Sequence, residues 1–66
     1  MNIKEFVKTF QKPERERLAE QAKTTEAYLY QLAGGHRLPS VELAKRLEKA
    51  SNGLLTRQEM LPHVYE

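Results

Sequence analysis

Apolar residues recur along this chain at helical spacing, and no stretch alternates cleanly enough to read as a strand. Ile3, Phe6, Val7 and Phe10 keep the i, i+3, i+4, i+7 rhythm of an amphipathic helix, with Lys4, Glu5 and Lys8 on its solvated side. Asn2 and Glu5 frame its start as a reciprocal capping box, and Met1 and Phe6 are spaced for the accompanying hydrophobic staple. Gln11-Lys12-Pro13 interrupts the rhythm, and Pro13 suits the first position of a second helix, where its missing N–H is not needed. Glu14 and Glu16 then fall in a first turn that favours anions.

Leu18, Ala19 and Ala22 share one face of this second helix, and Leu29 and Leu32 share a face of a third. Between them lies Lys23-Thr24-Thr25, with Thr25 placed to cap the helix that Glu26 opens. A small residue such as Ala19 is what two helices crossing steeply after a short turn need at their closest approach. The opposite face of the third helix carries Ala27, Tyr30 and Gln31 and has no apolar partner nearby. The glycines of Gly34-Gly35-His36-Arg37 end the helix through a left-handed residue and expose backbone N–H groups beside two basic side chains.

Ser40 caps a fourth helix with Val41, Leu43, Ala44, Leu47 and Ala50 as its buried stripe and Lys45, Arg46, Glu48 and Lys49 outside. Glu42 and Arg46 form an attractive i, i+4 pair, Lys45 and Lys49 a repulsive one. Ser51-Asn52-Gly53 ends that helix, and Thr56 to Glu59 is a second capping-box match that starts a single turn closed by Pro62. The pattern therefore predicts an all-α domain of five helices with a core of Ile3, Phe6, Val7, Phe10, Leu18, Leu29, Leu32, Leu43 and Leu47.

Sixty-six residues make one small domain, 1–66, close to the lower limit for folding without a disulfide or a metal. Cysteine is absent, so neither a disulfide framework nor a thiolate metal site is open to it. His36 and His63 show no ligand spacing, and no metal or cofactor is expected. No apolar run approaches the ~20 residues of a membrane span and no signal-peptide pattern opens the chain, so a cytoplasmic location is expected. Eleven Lys and Arg against nine acids, all of them Glu, give a formal charge of +2, so the placement of charge says more than its sum. With no Asp, no Cys and no Gly-rich phosphate loop after a strand, no carboxylate pair or nucleophile–base set can be assembled, which argues against an enzyme.

Residues 14–33 resemble a helix-turn-helix of the phage repressor and Cro type. The match rests on Ala19 five places into the first helix, apolar Leu29 and Leu32 ten and thirteen places later, and the Gly34-Gly35-His36-Arg37 exit. Lys23 departs from the pattern, standing at a turn position where that family usually carries glycine because the backbone there tends to positive φ. Pro39-Ser40, Leu43-Ala44, Leu47-Glu48, Ala50, Gly53 and Thr56-Arg57-Gln58-Glu59-Met60 to Pro62 look like the C-terminal half of the YdaS-type family. Those are small Cro-like regulators of prophages and toxin–antitoxin loci, and only part of the group bears the antitoxin label. The resemblance implies a compact lambda-repressor-like fold that binds operator DNA as a repressor.

On that reading the start and outer face of the third helix enter the major groove. Gln31 pairs with adenine, Ala27 touches a thymine methyl, Glu26 accepts from cytosine N4, and Tyr30 completes the base-reading set. For Glu26 the alternatives are to order Arg15 or to cap its own helix. Arg15, Lys23, Thr25, Tyr28, His36 and Arg37 border the groove and hold phosphates, although Arg15 could equally pair with glutamate and Tyr28 could pack on the first helix.

The tail, 54–66, crowds Leu54, Leu55, Met60, Leu61, Val64 and Tyr65 together. Some of these must fold back on the core, Leu55 and Met60 foremost. Leu54, Leu55, Met60, Val64 and Tyr65 form the candidate dimer interface for a homodimer on a palindromic site, against the alternative that the tail only caps its own domain. A different class of function, an antitoxin that masks a toxin protein by direct binding, would need exposed Leu, Met and Phe where the third helix shows polar residues.

Overall fold

A computed structural model describes residues 1–62 and Val64. The described chain is built of α1 (Ile3–Thr9), α2 (Lys12–Gln21), α3 (Glu26–Ala33), α4 (Val41–Ala50) and α5 (Arg57–Met60), with no strand among the described residues. Its radius of gyration, 10.4 Å, matches the roughly 10.8 Å of a close-packed domain of this length.

The helix starts are written locally. Asn2 accepts from the Glu5 N–H at 2.8 Å while the Glu5 carboxylate accepts from the Asn2 N–H at 3.1 Å, closing the expected capping box. Thr25, Ser40 and Thr56 cap α3, α4 and α5 through their hydroxyls, and Thr56 and Glu59 form the second box. The second helix opens one residue earlier than its proline suggested. The Gln11 carbonyl already accepts from the Glu14 and Arg15 N–H groups, so Lys12 leads the helix and Pro13 is its second residue. Glu14 remains in the first turn, and Glu16 pairs with Lys12 at 3.7 Å.

The ends of α2, α3 and α4 share one device. After α2, the Lys23 N–H donates to the Glu20 carbonyl and the Thr24 N–H to Ala19; after α3, Gly35 donates to Leu32 and His36 to Gln31; after α4, Asn52 donates to Lys49 and Gly53 to Glu48. Each is a Schellman motif, which needs one residue in the left-handed region. Lys23 (φ 60), Gly35 (φ 78) and Asn52 (φ 54) supply it. The positive φ expected at Lys23 is thus present without glycine.

The core is one cluster to which every helix contributes. Ile3 and Phe6 come from α1, Leu18 and Ala19 from α2, Leu29 and Leu32 from α3, Leu43, Ala44 and Leu47 from α4, and Met60 from α5. Val7 and Phe10, expected inside, are only partly buried against it, with the Phe6 and Phe10 rings stacked at 4.5 Å between centroids. Val41, assigned to the buried stripe of α4, is 42% exposed. At 100° per residue it sits about 110° from the centre of the Leu43–Ala44–Leu47 stripe, which explains the difference. In the tail, Leu55, Met60 and Leu61 are buried, whereas Leu54 and Val64 are exposed. Leu55, fully buried, therefore offers no surface to a partner, a correction to its place in the candidate interface; Met60 is buried but lines a surface groove, and Tyr65 lies outside the described residues. No helix among the described residues is long and apolar enough to cross a membrane.

Candidate nucleic-acid interface

The site is α3 and the two turns that bound it. Leu29 and Leu32 are buried, which commits one side of this eight-residue helix to the core and turns Ala27, Tyr30 and Gln31 outward. Those three lie at i, i+3 and i+4, so they form one exposed strip. Tyr30 is 46% exposed and presents both a ring face and a hydroxyl.

What holds the strip in place is Arg15. Its Nε donates to Glu26 Oε2 at 3.1 Å, and its Nη1 donates to the Phe10 carbonyl at 2.7 Å and the Val7 carbonyl at 3.5 Å. The guanidinium carbon also lies 5.5 Å from the centre of the Tyr30 ring. One side chain of α2 thus closes the C-terminal end of α1, neutralises the first turn of α3 and supports a ring of the exposed strip. Arg15 and Glu26 are 17% and 23% exposed, withdrawn from the surface by comparison with their neighbours. Of the roles open to Glu26, ordering Arg15 is the one the geometry realises, and Arg15 takes its glutamate-pairing alternative in the same bond.

The other expected residues fall at the two ends of the strip. At the N-terminal end, Lys23 is exposed at the left-handed turn position, and the exposed Thr25 accepts from the Tyr28 N–H at 3.1 Å. Tyr28 itself is partly buried against the core, which satisfies its packing alternative. At the C-terminal end, His36 and Arg37 are both exposed on the loop that Gly35 turns. The His36 ring folds over Gly34, where an added Cβ would stand 2.9 Å from the imidazole Cδ2, a contact the exposed imidazole would relieve by swinging aside. Ala27, Tyr30 and Gln31 are thereby brought together, with Lys23 and Thr25 before them and His36 and Arg37 after.

One further residue holds the turn from behind. Arg46, expected on the solvated side of α4, donates from Nε to the Ala22 carbonyl at 2.8 Å, while its Nη1 pairs with Glu42 at 3.2 Å. The carbonyl at the end of α2 is thus satisfied by a charge from α4, next to the turn that leads into α3. Glu48 likewise accepts from Arg57 Nε at 2.7 Å, joining α4 to α5. The i, i+4 spacing of Glu42 and Arg46 was visible in the sequence, but nothing there marked a contact 24 residues away. Among the described residues, no group of three or more His, Cys, Asp or Glu side chains could hold a metal ion.

Compared with models of known protein families and with curated proteins, the chain matches none.

Proposed function

We propose that this chain is a sequence-specific, double-stranded-DNA-binding transcriptional regulator of the Cro-like repressor kind. In this reading α2 and α3 are a helix-turn-helix within a lambda-repressor-like domain, and α3 lies in the major groove. The observation that carries it is the strip of Ala27, Tyr30 and Gln31, exposed on a helix whose other side is spent on the core. A side chain in that position can hydrogen-bond base edges without costing the fold anything. Lys23 and Thr25 on one side, and His36 and Arg37 with the backbone of their loop on the other, are the groups that grip phosphates. The Arg15–Glu26 bond fixes the strip on a rigid element, which keeps the reading groups in register with the bases.

A single eight-residue helix reads few base pairs, so the working unit is a homodimer on a palindromic operator with half-sites about 10 bp apart. Such a regulator works in the cytoplasm, where its DNA is. The test is selection of genomic DNA fragments on the immobilised chain, followed by competition against random duplex. A recurrent two-fold motif bound at least ~10³-fold more tightly than random DNA is expected. Retention of all fragments alike would defeat the reading.

A further inference from the structure

Outside the exposed strip, a groove of about 170 Å³ opens between the start of α1, the loop from α3 to α4, and α5. Ile3, Leu32, Ala33 and Met60 wall it with apolar side chains, and Leu38 adds a lip that is 64% exposed. Water in such a hollow finds few polar partners, so an apolar body of matching size displaces it at a gain. A volume of this order takes about one benzene ring or a short hydrocarbon chain.

The charges around it do not balance. Lys4, Arg37 and Glu59 all line the groove. Glu59 is already neutralised within the fold, its Oε1 accepting from the Met1 ammonium at 3.0 Å and from the Thr56 hydroxyl at 2.9 Å. Lys4 and Arg37 make no ion pair among the described residues. Asn2 commits its Oδ1 to the Glu5 N–H and keeps its amide NH2 to donate. Two cations and an amide donor are thus left over beside an apolar hollow.

We propose that this groove binds a small carboxylate with a compact apolar body, the body against the apolar walls and the carboxylate on Lys4 and Arg37. Both parts of the ligand are required by the site. An inorganic anion has nothing to lay on the walls, and a neutral hydrocarbon leaves both cations unused. The planar guanidinium of Arg37 suits a carboxylate in particular, because it can donate two parallel N–H bonds to one. Arg37 also belongs to the loop that grips phosphate in the DNA-binding reading. On that reading, on which this step rests, carboxylate and duplex compete for one guanidinium, and each weakens the other by the same factor. The groove is then an effector site through which a small acid loosens the chain from DNA.

Titration of the full chain with phenylacetate, without DNA, tests the site. The methyl resonances of Ala33 and Met60 should shift saturably, with half-saturation at about 1 mM. Phenethyl alcohol, which lacks the charge, and acetate, which lacks the ring, should each bind roughly 10-fold more weakly or worse. Lys4 is exposed, so Lys4→Gln should keep its melting temperature while raising the dissociation constant roughly 3-fold; adding Arg37→Gln should bring the loss to roughly 10-fold or more. Absence of saturable shifts, equal binding of the acid and the alcohol, or wild-type binding by the double variant would each overturn the site. With duplex present, saturating phenylacetate should lower DNA affinity roughly 3-fold or more where equimolar acetate does not. A DNA affinity that phenylacetate leaves unchanged overturns the competition. A chain that takes up phenylacetate as expected but binds no DNA keeps the groove as a carboxylate site and defeats the function proposed above.

Discussion

The guanidinium of Arg15 reaches Glu26 at 3.1 Å, and through this one bond the second helix fixes the first turn of the third. The same group also donates to the Phe10 carbonyl at 2.7 Å. Arg15→Ala would strand a partly buried carboxylate and a carbonyl, and should cost about 1.5–3 kcal/mol. A thermal melt should register a fall of roughly 4–8 °C for each kcal/mol. Arg15→Lys should recover little, because an ammonium cannot span both acceptors with a rigid fork. If DNA is bound, the salt slope of the Ala variant should match that of the wild type. A slope lower by about one would return Arg15 to the phosphate contacts.

Lys23 holds φ 60 at the end of α2, a conformation that costs a side chain about 1 kcal/mol or more. Lys23→Gly removes that strain while loosening the unfolded chain, and the net gain should be about 0.5–1 kcal/mol. Urea unfolding would show the midpoint rise. The same variant loses a cation beside the exposed strip, so affinity for DNA should fall as stability rises. An affinity that does not fall would take Lys23 out of the DNA contacts.

Gln31 and Arg37 should fail differently. Gln31→Ala is expected to lose about 1–3 kcal/mol on the preferred site and to relax selectivity at one base position. Arg37→Ala should weaken all sequences alike and lower the salt slope by about one. Titrations of both variants on operator and random duplex at two salt concentrations distinguish the roles. Equal losses for Gln31→Ala on both DNAs would remove it from base reading.

Stability is linked to pH through Glu59. Its bond to the N-terminal ammonium at 3.0 Å, and next the Thr56 hydroxyl, hold its carboxyl below the ordinary glutamate range. A folded-state pKa below the unfolded one contributes stability that is present above the unfolded value and lost as pH falls through the folded value. Glu59→Gln should therefore matter near neutrality and cease to matter below the ordinary glutamate range, as read from urea midpoints across that interval. A constant difference between variant and wild type at every pH would assign the effect to the cap hydrogen bonds instead.

Much of this was legible in the sequence because it is local. The capping boxes of Asn2 and Thr56, the Thr25 and Ser40 caps and the left-handed Lys23 all depend on residues within a few positions of one another. The exposed strip of α3 followed from the spacing of Leu29 and Leu32 alone. What escaped were choices among partners far apart in the chain. Arg15 had both phosphate and glutamate open to it, and only the placement of α1 against α3 decides for Glu26 and the Phe10 carbonyl. Arg46 bonds Ala22 across 24 residues, and no periodicity carries that information. In the tail, Leu54 and Leu55 are indistinguishable by composition, yet one is exposed and the other fully buried because the turn at Asn52 and Gly53 sets their phase.

The three matching helix ends have a kinetic consequence. Each stop is sealed by bonds between residues no more than five apart, so where α2, α3 and α4 end is encoded locally, while helices of eight to ten residues gain their stability as they pack together. The connections are short, so little loop-closure entropy opposes that packing. Chains organised in this way collapse to the native state in microseconds to milliseconds, leaving apolar stretches uncovered only briefly after synthesis.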